Sequence, residues 1–280
     1  MFHPLGGCTK VSSVKYQLTD LLELMARLRD PQSGCPWDIK QSYQTITNST
    51  IEEAYEVVDA IEQGDFDHLK EELGDLLFQV VFYTQLSRED GLFTFEDIVD
   101  TLTAKLIRRH PHVFPDGTLE SRQASTAPDA EAVKRSWEAI KKDERQKKGR
   151  SRLLDDVPIA LPAIARASKL QKRAASVGFD WLEWRPVVEK VKEELAEFEE
   201  AMEQNDDRAS EEELGDLMFS VVNLARHCKL DPERTLRKAN KKFTERFNFI
   251  EDCLNSRGEN LQTASSEQME ALWEQAKTEQ

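Results

Sequence analysis

The chain has 280 residues, 53 acidic against 38 basic, and a formal charge of −15 at pH 7. That length accommodates two ordinary domains. The charge argues against non-specific binding to nucleic acid or to a membrane surface, so an anionic substrate would need metal ions and local basic groups.

Four cysteines (Cys8, Cys35, Cys228, Cys253) are scattered with no Cys-x-x-Cys pair, which disfavours disulfide staples and structural zinc and suits a reducing cytoplasm. No apolar run approaches the roughly 18 residues of a membrane span, and Met1 to Lys15 lacks a signal-peptide core, so a cytoplasmic protein with no membrane partner is expected.

Residues 1–13, with paired glycines and small polar residues, are read as a disordered extension. Residues 14–148 form a first repeat. Leu18, Leu21, Leu22, Met25 and Leu28 recur at helical spacing, and the stretch from Arg29 to Gly34 stops that helix. Gly34-Cys35-Pro36-Trp37-Asp38 is expected as a loop. A helical hairpin follows, turning at Gln63-Gly64-Asp65, with Asp65 placed to cap a second helix over Leu69 to Leu86. A further helix is expected from about Thr94 to His110, where Arg108, Arg109 and Pro111 suit a C-terminus. The Ser-, Thr- and Pro-containing stretch from Pro115 to Ala130 reads as a connection, followed by a short helix from Val133 to Lys142 that carries Trp137 and Lys141. Residues 149–154, in a basic run, are the expected linker.

The second repeat spans residues 155–280. Pro158 and Pro162 open its first helix, and Gly178-Phe179-Asp180-Trp181 stands where the first repeat has Gly34 to Asp38. A helix is expected to end at His227, and another to run from about Pro232 to Ser256. Lys242 and Arg246 answer Lys105 and Arg109, and Trp273 and Lys277 answer Trp137 and Lys141. No segment reads as a strand, so the fold class is all-α, with two tandem helical repeats.

The chemistry lies in the acids. Glu193, Glu194, Glu197, Glu213 and Asp216 each recur 141 positions earlier as Glu52, Glu53, Glu56, Glu72 and Asp75. On a helix, residues three and four apart share a face, so Glu194 with Glu197 and Glu213 with Asp216 form two carboxylate pairs. The midpoint between Glu197 and Glu213 is Asn205, in the turn-forming run Gln204-Asn205-Asp206-Asp207. A hairpin folded there sets both pairs about 12 Å from the turn, at about 1.5 Å rise per residue, and so at one height. Two carboxylates roughly 5 Å apart repel by about 3 kcal/mol at an effective dielectric near 20. Hard divalent cations with oxygen ligands, Mg²⁺ or Mn²⁺, offset that repulsion at neutral pH. Any one of these glutamates alone would be read as part of a solvated face. The duplication, together with the repeated Leu73-Gly74 and Leu214-Gly215, argues for a site.

The paired Glu-Glu-x-x-Glu and Glu-x-x-Asp motifs, with Gly34 to Asp38, Arg108-Arg109-His110-Pro111-His112-Val113-Phe114 and Gly178 to Trp181, resemble the MazG family, two-repeat nucleoside triphosphate pyrophosphohydrolases of the all-α NTP pyrophosphatase superfamily. The resemblance covers about residues 14–280. It implies four-helix-bundle packing and a homodimer. It also implies a Mg²⁺-dependent reaction in which a nucleoside triphosphate and water give the monophosphate and pyrophosphate, in nucleotide-pool cleaning or alarmone control. It places Glu194, Glu197, Glu213 and Asp216 on the metal, with Glu53, Glu56, Glu72 and Asp75 as the second set, and Glu193 on the attacking water. Lys242, Arg246 and Lys277 would lie along the phosphates, and Trp273 would stack on the base; separately, the second repeat has Asn240 where the first has Thr103, and its amide can donate to a phosphate or the sugar. The C-terminal repeat is expected to carry most of the activity.

Two other classes compete. A di-iron carboxylate protein would need Glu-x-x-His pairs, and neither Glu197 nor Glu213 has one. A nucleotide-binding regulator without turnover stays open, as do narrow relatives acting on dUTP, dCTP or phosphoribosyl-ATP.

Overall fold

The computed structural model describes residues 15–122, 129–147 and 152–278, and every regular element among them is helical. A boundary between Ile140 and Lys141 divides the chain into two units. The expected extension, 1–13, lies outside the described residues, as do 149–151 of the expected linker.

In the N-terminal unit, α1 (Leu18–Leu28) begins with a capping box between Gln17 and Asp20. The chain then turns at Gly34, where a Cβ would stand 2.4 Å from the carbonyl oxygen of Leu28, so only glycine fits that approach. Residues expected as a loop instead form a short helix, α2 (Pro36–Ile39), because Pro36 is preset for a first helical position. The central hairpin is α3 (Thr47–Gln63) and α4 (Phe66–Glu89). Gly64 takes φ +74° to end α3, and Asp65 accepts the backbone N–H of His68 to start α4. α5 (Phe95–Arg109) follows a Thr94–Asp97 capping box. The core joins Met25 of α1, Ile46, and Val81, Phe82 and Leu86 of α4. Arg29 clamps this end of the unit, with its guanidinium on the Glu89 carboxylate at 2.6–3.1 Å and on the carbonyl oxygen of Asp38. α6 (Ala130–Lys147) is longer than the expected Val133 to Lys142, since good helix formers continue to the basic run.

The C-terminal unit comprises α7 (Ala163–Ala175), α8 (Trp184–Glu203), α9 (Asp207–His227), α10 (Pro232–Ser256) and α11 (Ser266–Thr278). α8 and α9 form its central hairpin, and α7 packs on α9 and α10. Asn205 makes the turn at φ +54°, and Asp206 accepts from the backbone N–H groups of Arg208 and Ala209. Ile250, Leu254 and Leu272 fasten α11 to α10. None of the described helices is long and apolar enough to cross a membrane.

Candidate active site

Equal arms about the Asn205 turn bring the acids of α8 and α9 to one level, and the carboxylates of Glu194, Glu213 and Asp216 offer oxygens that all lie within 4.8 Å of one another. Glu194 is buried at 5% exposure, Glu213 is half-buried and Asp216 is exposed. Glu197 stands outside that closest set, yet it feels it. Partial desolvation and then the charge of Glu194 hold its carboxyl above the ordinary glutamate value, with Glu213 and Glu193 adding and Lys190 opposing. Glu193 faces the same edge. The Lys190 ammonium bridges Glu193 at 2.8 Å and Glu194 at 2.7 Å, which pushes the lysine pKa up.

The N-terminal unit repeats the design with a different closest trio, Glu53, Glu56 and Glu72, and here Asp75 stands outside. Burial first, and then the charges of Asp75 and Glu56, push the Glu53 carboxyl up. His68 contacts Glu72 at 2.6 Å, where the C-terminal unit has Ala209. Both trios offer only carboxylate oxygens, a donor set that fits hard cations such as Mg²⁺ and Mn²⁺ and gives nothing to softer ions.

The basic candidates lie on α10 and α11. Arg246 lies over the Trp273 indole at 5.6 Å, and Phe243 meets the same ring at 5.4 Å. Trp273 is half-buried on the α10–α11 core, and Lys277 is paired with Glu274. Asn240 and Lys242 are exposed on α10.

Next to the acids of the C-terminal unit lies a cavity of about 420 Å³, with Glu194, Asp216 and Lys190 on its wall together with Gln171, Ser220 and Asn223. Asn240, Lys242, Arg246, Trp273 and Lys277 do not line it. Gln171 donates from Nε2 to the carbonyl oxygen of Phe219 at 2.9 Å. Asn223 accepts at Oδ1 from Arg226, whose guanidinium is held by Asp180, and His227 meets the same carboxylate at 2.9 Å. Arg226, opposed by burial and then aided by His227, draws the Asp180 carboxyl down to about 2. Sequence reasoning passed over Gln171, Asn223 and the Asp180–Arg226 pair. Their one signal was amides at helix positions that a core would give to apolar side chains.

Fold and site together define an all-α protein of two hairpin repeats, each with a cluster of carboxylates. Residues 41–114 and 185–249 match the model of the MazG nucleotide pyrophosphohydrolase domain. The chain is 48% identical to a nucleoside triphosphate pyrophosphohydrolase of Escherichia coli over 94% of this chain and 98% of that one. It is 45% identical to the nucleoside triphosphate pyrophosphohydrolase/pyrophosphatase MazG of Thermotoga maritima, over 92% and 94% of the two chains. A solved structure of a MazG-related protein from Thermotoga maritima aligns at 26% identity with a TM-score of 0.37, covering 45% of this chain and 99% of its own. The chain belongs to the MazG nucleotide pyrophosphohydrolase family.

Proposed function

We propose that the chain hydrolyses ribo- and deoxyribonucleoside triphosphates to the monophosphate and pyrophosphate, with Mg²⁺ as its ion and Mn²⁺ as a substitute, mainly in the C-terminal unit. The observation that carries this reading is the Glu194, Glu213 and Asp216 trio, with its oxygens within 4.8 Å of one another. These three residues would hold the ion, and Glu197, one turn along α8 from Glu194, completes the set. When bound, the ion supplies charge neutralisation on the phosphates and lowers the pKa of a water. Glu193, hydrogen-bonded to Lys190, orients the attacking water and accepts its proton. The water oxygen bonds to the α-phosphorus, the bond from that phosphorus to the α,β-bridging oxygen breaks, and pyrophosphate departs with the electron pair. Lys242, Arg246 and Lys277 stabilise the charge on the leaving group, and Asn240 meets a phosphate or the sugar.

A homodimer belongs to the same reading. Leu214, Met218 and Val221 form an exposed apolar stripe on α9, and Leu73, Leu77 and Val80 repeat it on α4. A stripe at such spacing is suited to pairing with another hairpin in a four-helix bundle.

Product identification tests the reaction. With Mg²⁺ and a nucleoside triphosphate, the expected products are monophosphate and pyrophosphate in equal amounts. Diphosphate plus phosphate would point to γ-cleavage, and binding without any product would point to a regulator.

A further inference from the structure

The N-terminal acids differ from their C-terminal counterparts in what surrounds them. Lys190 lends its ammonium to Glu193 and Glu194, whereas Ser49 stands at that place in the first repeat. Glu72 is buried at 8% exposure with His68 on its carboxylate at 2.6 Å, while Glu213, at the same position of the C-terminal unit, is half-buried. Gln79, one turn beyond Asp75 on α4 and 6% exposed, reaches the cluster with its amide: Nε2 stands 3.4 Å from Oε1 of Glu53. Its own Oε1 is buried and has no hydrogen-bond partner. A buried carbonyl oxygen without a donor costs stability, and a contact of that length from Nε2 is too long to offset it. The counterpart of Gln79 is Ser220, whose side chain is two bonds shorter.

We propose that Gln79 turns Oε1 inward to join Glu53, Glu56 and Glu72 as a fourth oxygen ligand, and that the resulting site in the N-terminal unit takes Ca²⁺ in preference to Mg²⁺. Half a turn about the last side-chain bond exchanges the two amide atoms, so the inward turn gives the orphaned oxygen a partner. With the cation absent the same amide has to offer Nε2, because an oxygen there would face a carboxylate. Three carboxylates and an amide carbonyl make a cage of protein oxygens, and Glu72 and Gln79 are both more than nine-tenths buried. Ca²⁺ accepts such cages, amide carbonyls included, in flexible geometry; Mg²⁺ dehydrates reluctantly, keeps several waters and is held through few carboxylates. Size points the same way. Neighbouring ligands on an octahedron lie about 1.4 bond lengths apart, hence about 2.9 Å around Mg²⁺ and about 3.4 Å around a cation with bonds near 2.4 Å. The Gln79 and Glu53 atoms already stand at the longer spacing, 3.4 Å. His68 holds Glu72 from outside, as hydrogen-bond partners of ligating carboxylates do. The ion belongs to this unit and takes no part in the hydrolysis proposed for the other.

Isothermal titration with Ca²⁺ and with Mg²⁺ tests this on the full chain carrying Glu194→Gln and Asp216→Asn, which leaves only the N-terminal cluster intact. One Ca²⁺ is expected to bind, at least about tenfold more tightly than Mg²⁺. Adding Gln79→Met keeps the length of the side chain and removes its carbonyl. It is expected to weaken Ca²⁺ at least about tenfold and to leave Mg²⁺ within about twofold, since even a partner that merely orients a ligand is worth that much. Adding Gln79→Glu instead keeps an oxygen in place and is expected to retain Ca²⁺ binding. No Ca²⁺ binding, Mg²⁺ bound as tightly as Ca²⁺, or an unchanged preference in Gln79→Met would overturn the proposal. So would loss of Ca²⁺ binding in Gln79→Met and Gln79→Glu alike, which is the result of a side chain that serves packing alone.

Discussion

At the scale of single residues, charge decides what each carboxylate can do. Glu197 and Asp216 sit at the edge of the buried Glu194, so exchanging either for its amide removes a charged oxygen donor while preserving side-chain volume. Glu197→Gln and Asp216→Asn are each expected to lower turnover by at least about tenfold, with unchanged helicity by circular dichroism, because removing transition-state charge stabilisation costs at least that much. Near-normal rates in both would move the metal elsewhere. Asp180 makes the opposite case, a carboxylate whose charge the fold favours. Its folded pKa, about 2, lies below the ordinary aspartate value of 3.8. The resulting stabilisation is therefore complete above about pH 4 and is lost as pH falls through about 2. Its size is on the order of 2 kcal/mol. Asp180→Asn is expected to lower the urea midpoint at pH 7 and pH 5 alike, and the gap to wild type should narrow below about pH 4. A gap that stays constant down to pH 3 would mean the carboxylate works through packing instead of charge.

At the scale of elements, what was legible in the sequence is what local rules control. The turns at Gly64 and Asn205 and the cap at Asp65 follow from residue types acting on their nearest neighbours, and α1 and α10 run over the residues expected for them. The short α2 was hidden because loop residues and a proline-started turn look alike in composition, and α6 outran its expected end because no residue there stops a helix. The Asp180–Arg226 contact and the two cavity amides were not legible for another reason: they join positions about 50 residues apart, and no local pattern announces such a meeting. The acidic pairs were legible because a hairpin with equal arms turns sequence symmetry into spatial proximity. The apolar stripe on α9 carries its own test. Leu214→Glu with Met218→Glu places two like charges where a partner hairpin would pack, at a cost of several kcal/mol across an interface. Light scattering is expected to change from a dimer mass to a monomer mass while the helical signal persists; a wild-type monomer, or a variant that remains dimeric, would remove the stripe from assembly.

At the scale of the whole molecule, duplication gives two acid clusters whose surroundings have diverged. In the N-terminal unit His68 lies on Glu72, the buried Gln79 amide meets Glu53 at 3.4 Å and Phe82 packs into the core, whereas in the C-terminal unit Asn223, the counterpart of Phe82, lines a cavity that also has Glu194 and Asp216 on its wall. Divalent cation binding needs only the carboxylates, so both units are expected to take up Mn²⁺. Turnover needs the rest of the nucleotide held in line with the attacking water, and a misplaced substrate loses rate even when the metal is present. The double variants Glu53→Gln with Glu72→Gln and Glu194→Gln with Asp216→Asn separate these requirements. Each should lose about half of the bound Mn²⁺ seen by equilibrium dialysis, since each deletes one of two oxygen-donor sites. Pyrophosphate release should fall at least about a hundredfold only in the C-terminal pair, because two groups acting on the same transition state have been removed. Equal losses of turnover in both pairs would mean that the N-terminal acids work in catalysis as well.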